Sequence, residues 1–343
     1  MDSSLVLVAN AKDGTISTFT LTDDALEPLG RSDVGALGMP LAVDADRDLV
    51  FAGTNNPRGV TVLRLDRASG ALTPLGRYPT QGSPTYLALN SHGGLLLSAS
   101  YHQGLGEVFQ VGVDGALTAI GDPIARDNLH SVQLSPDDAF CYFVSLREDL
   151  VAQYALSPGG ELTPLDPPTV AAPTGSGPRH IVLDSSATAA YVSTEYAGQA
   201  LHYRRDPVSG VLEKASWATC IPTDRGLSHS RFGAQPRDED LIWCADLHLD
   251  GPGRLLYCSE RNRGTITAVE VAEQTGELGR ATAHSDVVAQ PRGFRVLPNG
   301  DLLVASETDR VVARFRPDEN GALTEVDRQE VGLGANWIEV IPR

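Results

Sequence analysis

The sequence predicts an all-β protein, a seven-bladed β-propeller with four strands in each blade and one blade closed by both ends of the chain. Three observations support this prediction: a repeat of about 45 residues, short β-rich segments between turn residues, and part of a blade at each end. The 34 glycines and 22 prolines are spread over all 343 residues, which is typical of short strands joined by tight turns. We expect residues 1–343 to form one domain.

The clearest repeat is a turn followed by a short strand, such as GALTPLG at 70–76 and GALTEVD at 321–327. Seven copies occur, and successive copies begin 45 to 50 residues apart except for one gap of 66. Three other strand patterns keep the same period, for example HIVL, AYVST and ALHYRR, so each unit has four strands, A to D. Helical repeats would show a period of 3.6, which is absent, and a parallel β-helix has shorter rungs.

The two ends of the chain supply complementary parts of one blade. The N-terminal segment LVLVAN reads as a strand B, and the segment from Asn336 to Ile341 reads as a strand A without a following strand B. Their pairing would close the ring and remove free sheet edges. The long gap falls between Trp217 and Trp243, where about 20 extra residues separate a strand D from the next strand A.

Charge and composition exclude several classes of function. A net charge of −17 argues against binding to nucleic acid or to a membrane surface. No apolar run approaches the roughly 20 residues of a membrane-spanning helix, and the start lacks the features of a secretory signal. The cysteines show no CxxC pair, and we interpret them as buried thiols: Cys141, Cys220, Cys244 and Cys258. We expect a cytoplasmic protein that is a monomer, because a closed propeller needs no partner.

Functional residues of a propeller are expected where strands A begin and strands B end. In an antiparallel blade these points lie at the same end of the sheet, so seven blades bring them together at the mouth of the central channel. The positions at the start of strand A are Met39, Thr85, His130, Arg179, Ala245, Arg292 and Asn336. The positions after strand B are Ala11, Asn55, His102, Arg147, Glu195, Arg261 and Thr308. A scaffold would tolerate small turn residues there, so four arginines, two histidines and a glutamate indicate a site.

The residue types at the mouth predict an anion-binding site with a single carboxylate. Guanidinium groups bind carboxylates or phosphates in a bidentate fork. A carboxylate among cations stays ionised and can deprotonate water, and a neighbouring arginine or histidine can stabilise an oxyanion. This pattern favours hydrolysis or formation of an acidic lactone without a metal. The offset glutamates Glu260 and Glu307 are interpreted as structural, and the insertion adds Arg225, His229, Arg231 and Arg237 to the same face.

Three stretches resemble the bacterial 6-phosphogluconolactonase family: GSGPRHIVLDSSATAAYVSTEYAG at 175–198, ADLHLDGPGRLLYCSERNRGTITAV at 245–269 and QPRGFRVLPNGDLLVASE at 290–307. The resemblance continues in order over essentially the whole chain. It implies a seven-bladed lactonase propeller that hydrolyses lactones without a metal or another cofactor, related to the fungal carboxymuconate cycloisomerases.

The resemblance also assigns roles by position. It implies a catalytic group formed by Glu195, His130, Arg179 and Arg261. It places His180, His248 and Arg292 in the substrate pocket, to which the ring positions add His102 and Arg147. We expect a small anionic lactone as the substrate, 6-phosphogluconolactone by default, with Glu195 activating water and His130 assisting. The alternatives are a lactonase for a non-phosphorylated aldonate or aldarate lactone, a muconate-type cycloisomerase, and a non-catalytic scaffold.

Overall fold

The computed structural model describes residues 3–35, 38 and 40–342, which form seven four-stranded antiparallel sheets arranged in a ring. Among the described residues there is no helix, and hence none long and apolar enough to cross a membrane. Each sheet follows the chain strand by strand, except for the one that contains both ends. The predicted all-β, seven-bladed propeller is confirmed.

Each blade runs from an innermost strand A to an outermost strand D. The A strands are β4 (Leu41–Asp44), β8 (Tyr86–Leu89), β12 (Leu129–Leu134), β16 (Pro178–Leu183), β20 (Cys244–Leu249), β24 (Pro291–Val296) and β28 (Ala335–Pro342). The B strands are β1 (Ser4–Asn10), β5 (Leu49–Asn55), β9 (Leu95–Ser100), β13 (Phe140–Ser145), β17 (Ala189–Thr194), β21 (Leu255–Glu260) and β25 (Leu302–Ser306).

The two outer layers complete the blades. The C strands are β2 (Thr15–Leu21), β6 (Arg58–Leu65), β10 (Leu105–Val111), β14 (Leu150–Leu156), β18 (Gln199–Arg205), β22 (Thr265–Val271) and β26 (Val311–Pro317). The D strands are β3 (Leu26–Asp33), β7 (Leu72–Tyr78), β11 (Leu117–Ala125), β15 (Leu162–Ala171), β19 (Leu212–Thr219), β23 (Leu278–Asp286) and β27 (Leu323–Glu330).

The hydrophobic core is divided among the interfaces between neighbouring blades. Strands B and C are buried along almost their whole length because each blade packs on a neighbour with both faces, whereas strands D expose most of their side chains. Tyr142 and Val144 of one blade, for example, pack against Ile181 and Val192 of the next. Burying apolar area at about 25 cal/mol per Å² at every interface makes the ring a cooperative unit.

The ring closes by pairing of the two ends of the chain. Strand β28 lies antiparallel to β1, with Leu5 opposite Ile341 and Val8 opposite Ile338. Strand β28 also contacts the neighbouring inner strands β24 and β4, so the inner layer is continuous. The predicted closure is confirmed.

The starts of strands A and the ends of strands B lie on one face, which we call the mouth face. The start of β16 pairs with the end of β17, where Pro178 lies opposite Thr194, and Cys244 at the start of β20 lies opposite Glu260. The insertion, residues 220–243, joins β19 to β20 on this face. All four cysteines are buried and free, as predicted.

Gly293 is required where β24 passes the closing strand. A Cβ atom at this position would lie 2.4 Å from the backbone oxygen of Asn336 in β28, closer than real Cβ contacts come. We predict that Gly293→Ala lowers the free energy of unfolding by about 1–3 kcal/mol, because the two inner strands must move apart. Urea unfolding measures the change.

Gly30→Ala is the matched control, since Gly30 also lies in a strand but a Cβ there meets nothing within 4 Å. Equal stability of the two variants would show that β24 can move away from β28 at no cost.

Candidate active site

A cavity of about 330 Å³ opens at the mouth of the central channel, and we call it the mouth cavity. Its lining combines cationic, imidazole and aromatic groups, and the cavity is open to solvent. Among its lining residues are Asn55, Thr85, Tyr101, His102, His130, Arg179, His180, Glu195, Trp243, Asp246, Arg261, Arg292, Asn336 and Trp337. Most of these residues belong to the two sets of positions that the repeat predicts at the mouth, at the start of strand A and after strand B. Met39, another of those positions, lies outside the described residues.

Glu195 is held between two buried guanidinium groups. It follows β17 directly, while Arg179 is the second residue of β16 and Arg261 follows β21. Oε2 of Glu195 accepts a hydrogen bond from Nε of Arg179 at 2.9 Å and lies 3.1 Å from Nη2 of Arg261. Oε1 accepts no hydrogen bond from the residues the structure describes. One carboxylate oxygen is therefore fixed and the other is available at the cavity wall.

Backbone carbonyls hold both guanidinium groups in place. Nη1 of Arg179 donates to the oxygen of Ala245 at 2.8 Å, and Nη2 of Arg261 donates to the oxygen of Cys244 at 3.1 Å. The Arg261 guanidinium also lies 3.8 Å from the centre of the Trp243 ring. Within the described residues, Nη2 of Arg179 and Nη1 of Arg261 donate to no acceptor. These two N–H groups are available to an anionic ligand.

The two arginines are unusual for their burial, with side chains only 2% and 3% exposed. Burial and the neighbouring Arg261 lower the pKa of the Arg179 guanidinium to about 9, against the opposing effect of Glu195. Burial also lowers the pKa of Arg261. Both groups remain charged at neutral pH, so the cavity presents fixed positive charge in a poorly hydrated setting.

His130 is a neutral, buried imidazole on β12. Its ring lies 5.1 Å from the ring of His180 and 5.7 Å from that of Tyr101. Burial, reinforced by the charge of Arg179, holds the pKa of His130 well below its usual range. Its Nδ1 atom is buried without a hydrogen-bond partner in the described structure. At neutral pH this histidine is therefore uncharged.

Both ring nitrogens of His180 are bound by other protein groups. Nδ1 lies 2.8 Å from Oδ1 of Asp246, and Nε2 lies 3.0 Å from Nη1 of Arg179. Burial and the charge of Arg179 lower the pKa of His180 to about 4. His180 lines the cavity as predicted for a substrate-binding residue, but its hydrogen-bonding capacity is used within the protein.

The remaining predicted residues divide into two groups. Arg292 lines the cavity and pairs with Glu307 at 3.1 Å, and His102 lines it with its ring edge on Tyr101. His248 instead contacts Asp246 at 3.3 Å, and Arg147 lies on the ring of Phe232 in the insertion. Neither His248 nor Arg147 is among the lining residues of the mouth cavity.

The two offset glutamates behave differently. Glu260 accepts the backbone N–H groups of Trp243, Asn262 and Arg263, so it orders the turn, as interpreted from the sequence. Glu307 instead pairs with Arg292, which lines the mouth cavity.

Sequence reasoning missed Asp246, Trp243 and Trp337. Asp246 lies in β20 with its side chain 13% exposed and accepts hydrogen bonds from both neighbouring imidazoles. An acidic residue in the middle of an inner strand was the available signal, because every inner strand packs between two others. The two tryptophans carried no such signal, since indole side chains are common in apolar packing.

A family model described as "Lactonase, 7-bladed beta-propeller" matches residues 6–340. The chain belongs to this lactonase family. The resemblance read from the sequence is thereby confirmed, and the membership supports a lactone-hydrolysing activity.

The family includes relatives of nearly equal length. The 6-phosphogluconolactonase of Serratia proteamaculans is 29% identical over 347 residues, 99% of each chain. That of Pectobacterium carotovorum is 29% identical over 315 residues, 90% of each chain. A Bacteroides fragilis protein superposes with a TM-score of 0.86 at 25% identity over 99% of this chain and 98% of that one. The periplasmic gluconolactonase of Pseudomonas aeruginosa shares the fold, with a TM-score of 0.87 at 23% identity over 99% of each chain.

The neutral histidines predict a stability that falls in acid. The pKa values of His130 and His180 lie below that of an unfolded histidine, so the unfolded chain binds more protons below about pH 6.5. Stability is therefore highest above that pH and is lost as the pH falls toward about 4. Between about pH 7.5 and pH 5 we expect His180 to account for a loss of about 2 kcal/mol in urea unfolding, and His130 to add a further loss in the same direction.

His130→Gln removes one of the two groups and is expected to flatten this dependence. His92→Gln, at an exposed histidine on a distant turn, should leave the slope as in the wild type. A wild-type stability that does not change between the two pH values would refute the neutral assignment.

Proposed function

We propose that this protein hydrolyses the ester of an acidic sugar lactone. The observation that supports this most directly is the Glu195 carboxylate, with Oε2 held by two buried guanidinium groups and Oε1 unengaged at the wall of the mouth cavity. A base needs a free oxygen, and an ester carbonyl needs fixed donors as its charge develops. The site combines both within one cluster.

The reaction would proceed by attack of water on the lactone carbonyl. Glu195 takes a proton from the water while the water oxygen forms a bond to the carbonyl carbon. The carbonyl oxygen thereby becomes an oxyanion. The unengaged N–H groups of Arg179 and Arg261 stabilise that oxyanion. The bond from the carbonyl carbon to the ring oxygen then breaks, the ring oxygen receives a proton, and the carboxylic acid product loses its own proton to solvent.

His130 is suited to assist the departure of the ring oxygen. A neutral imidazole can accept a proton at one nitrogen and pass one from the other, and the positive charges around His130 make its protonated form a strong acid. It would therefore relay to the ring oxygen the proton that Glu195 removed from water. In this scheme neither residue forms a covalent bond to the substrate.

The cationic wall favours a substrate with a second acidic group. Arg292 lies on the cavity wall with its side chain 32% exposed, so its guanidinium can reach a ligand. A second cavity of about 380 Å³ shares Tyr101, Glu195 and Trp243 with the first and is lined by Arg231 and Arg237 of the insertion. A distal phosphate or carboxylate would lie toward these arginines.

We propose 6-phosphogluconolactone as the first substrate to test, supported by the names of the Serratia and Pectobacterium relatives. A non-phosphorylated aldarate lactone fits the same cluster, because its free carboxylate binds guanidinium groups as a phosphate does. An aldonate lactone has no free carboxylate and would use the hydrolytic residues without the distal arginines. A panel of freshly prepared lactones, followed by proton release and corrected for spontaneous opening, separates these substrates.

Glu195→Gln is expected to lower kcat by about 10²–10⁴-fold, because glutamine cannot take a proton from water. The measurement is proton release from the best lactone of the panel. Glu148→Gln is the matched control, since Glu148 lies in the corresponding turn of the preceding blade and pairs with Arg126, away from the mouth cavity. Activity of Glu195→Gln equal to this control would remove Glu195 from the mechanism.

Arg292→Ala is expected to raise KM for an acidic lactone by about tenfold or more, because a hydrogen bond to a charged group contributes about 1.5–3 kcal/mol. Neutral glucono-lactone should be affected far less. Arg204→Ala, at an arginine paired with Glu277 on the outer surface, serves as the control. An equal rise in KM for acidic and neutral lactones would show that Arg292 does not bind the distal acid.

A further inference from the structure

A continuous line of polar contacts runs from Glu195 into the wall of the channel. Glu195 bonds to Nε of Arg179, Nη1 of Arg179 contacts Nε2 of His180, and Nδ1 of His180 contacts Oδ1 of Asp246. The four side chains are between 2% and 15% exposed. Strand β16 supplies Arg179 and His180, and β20 of the next blade supplies Asp246.

The chemistry of this line determines the tautomer of His180. A guanidinium group can only donate hydrogen bonds, so Nε2 of His180 must accept from Arg179 with its lone pair. The ring proton is then on Nδ1, where it is donated to the Asp246 carboxylate. A protonated ring, or the opposite tautomer, would set an N–H group of His180 against an N–H group of Arg179.

The Asp246 carboxylate accepts hydrogen bonds from four surrounding groups. Its carboxylate receives the backbone N–H groups of Leu247 at 3.0 Å and Phe294 at 3.3 Å, in addition to the rings of His180 and His248. Burial acts to raise the pKa of Asp246, but the two imidazoles hold it well below its usual range. The charged or titratable groups that face this region from the neighbouring elements include Tyr86, His130, Arg179, Arg295 and Glu339.

We propose that Asp246 and His180 are positioning residues for lactone hydrolysis: Asp246 sets the tautomer of His180, and His180 orients the Arg179 guanidinium toward Glu195 and the developing oxyanion. The inference rests on the function proposed above. It changes the role of His180 from a substrate ligand to a support for one, because neither of its nitrogens has hydrogen-bonding capacity left for a substrate.

Substitution of Asp246 by asparagine tests the tautomer directly. If the amide nitrogen of asparagine faces His180, the ring must move its proton to Nε2, which then opposes Arg179. If the amide nitrogen faces the other way, it opposes the backbone N–H of Phe294. We expect Asp246→Asn to lower kcat by on the order of tenfold or more with little change in KM, since the misplaced group acts in the transition state.

Glu339→Gln is the matched control. Glu339 is also a carboxylate of an inner strand, and it pairs with Arg295 at 2.6 Å and with Nε1 of Trp337 at 2.9 Å, without contact to His180. Its variant should keep the wild-type kcat. Equal kcat values for Asp246→Asn and the wild type would overturn the proposal.

Two substitutions of His180 separate support of Arg179 from simple packing. The amide of His180→Asn occupies the place of Nδ1 and can still donate to Asp246, but it offers Arg179 no acceptor. The longer side chain of His180→Gln brings its oxygen to the place of Nε2, where it can accept from Arg179. We expect His180→Gln to have a higher kcat than His180→Asn at similar thermal stability. The reverse order would overturn it.

Nitrogen-15 NMR of the imidazole rings provides a measurement that does not depend on turnover. The wild-type signals of His180, assigned by their loss in His180→Asn, should show a proton on Nδ1 and none on Nε2 at neutral pH. A ring protonated at Nε2 would overturn the inference even if the protein is an active lactonase. The expected tautomer in a protein that turns over no lactone would instead refute the proposed function while leaving the His180 geometry intact.

Discussion

The hydrogen bonds between β28 and β1 hold the ring closed, and the position of every residue of the mouth cavity depends on that closure. A propeller blade has an inner edge that must be covered, and here the chain covers it by contributing strands from its two ends to one sheet. The closing strand also carries Asn336 and Trp337 into the cavity wall. Stability and site geometry are thus consequences of the same pairing.

Closure makes it possible to keep charged groups where water is scarce. Burying two guanidinium groups is unfavourable by several kcal/mol for each ion unless acceptors replace the lost water. Here Glu195 and the carbonyls of Ala245 and Cys244 supply those acceptors. The result is a set of donors whose directions are fixed before a substrate arrives, which is the condition for strong stabilisation of a developing charge.

The insertion distinguishes one side of an otherwise regular ring. Residues 220–243 leave the repeat between β19 and β20 and form a second cavity that shares Glu195 with the first. Phe232 of the insertion carries the guanidinium of Arg147, 4.4 Å from its ring centre. Arg147 therefore supports the loop beside the site and does not line the mouth cavity. Selectivity among lactones would depend on this side of the ring, where the cavity wall comes from the least repetitive part of the chain.

The repeat period alone determined the number of blades, the closure and the face on which the site lies, because strand order in an antiparallel sheet leaves no alternative. It also identified Glu195, Arg179, Arg261, His130 and Arg292, all of which lie on the cavity wall. Only the tertiary structure decided how these side chains pair. Asp246 binds His180 across a blade interface, a contact between residues 66 positions apart, while His248 contacts Asp246 within the same strand and does not line the cavity. A periodic sequence specifies where a strand begins, but the direction of each side chain depends on the packing of the next blade.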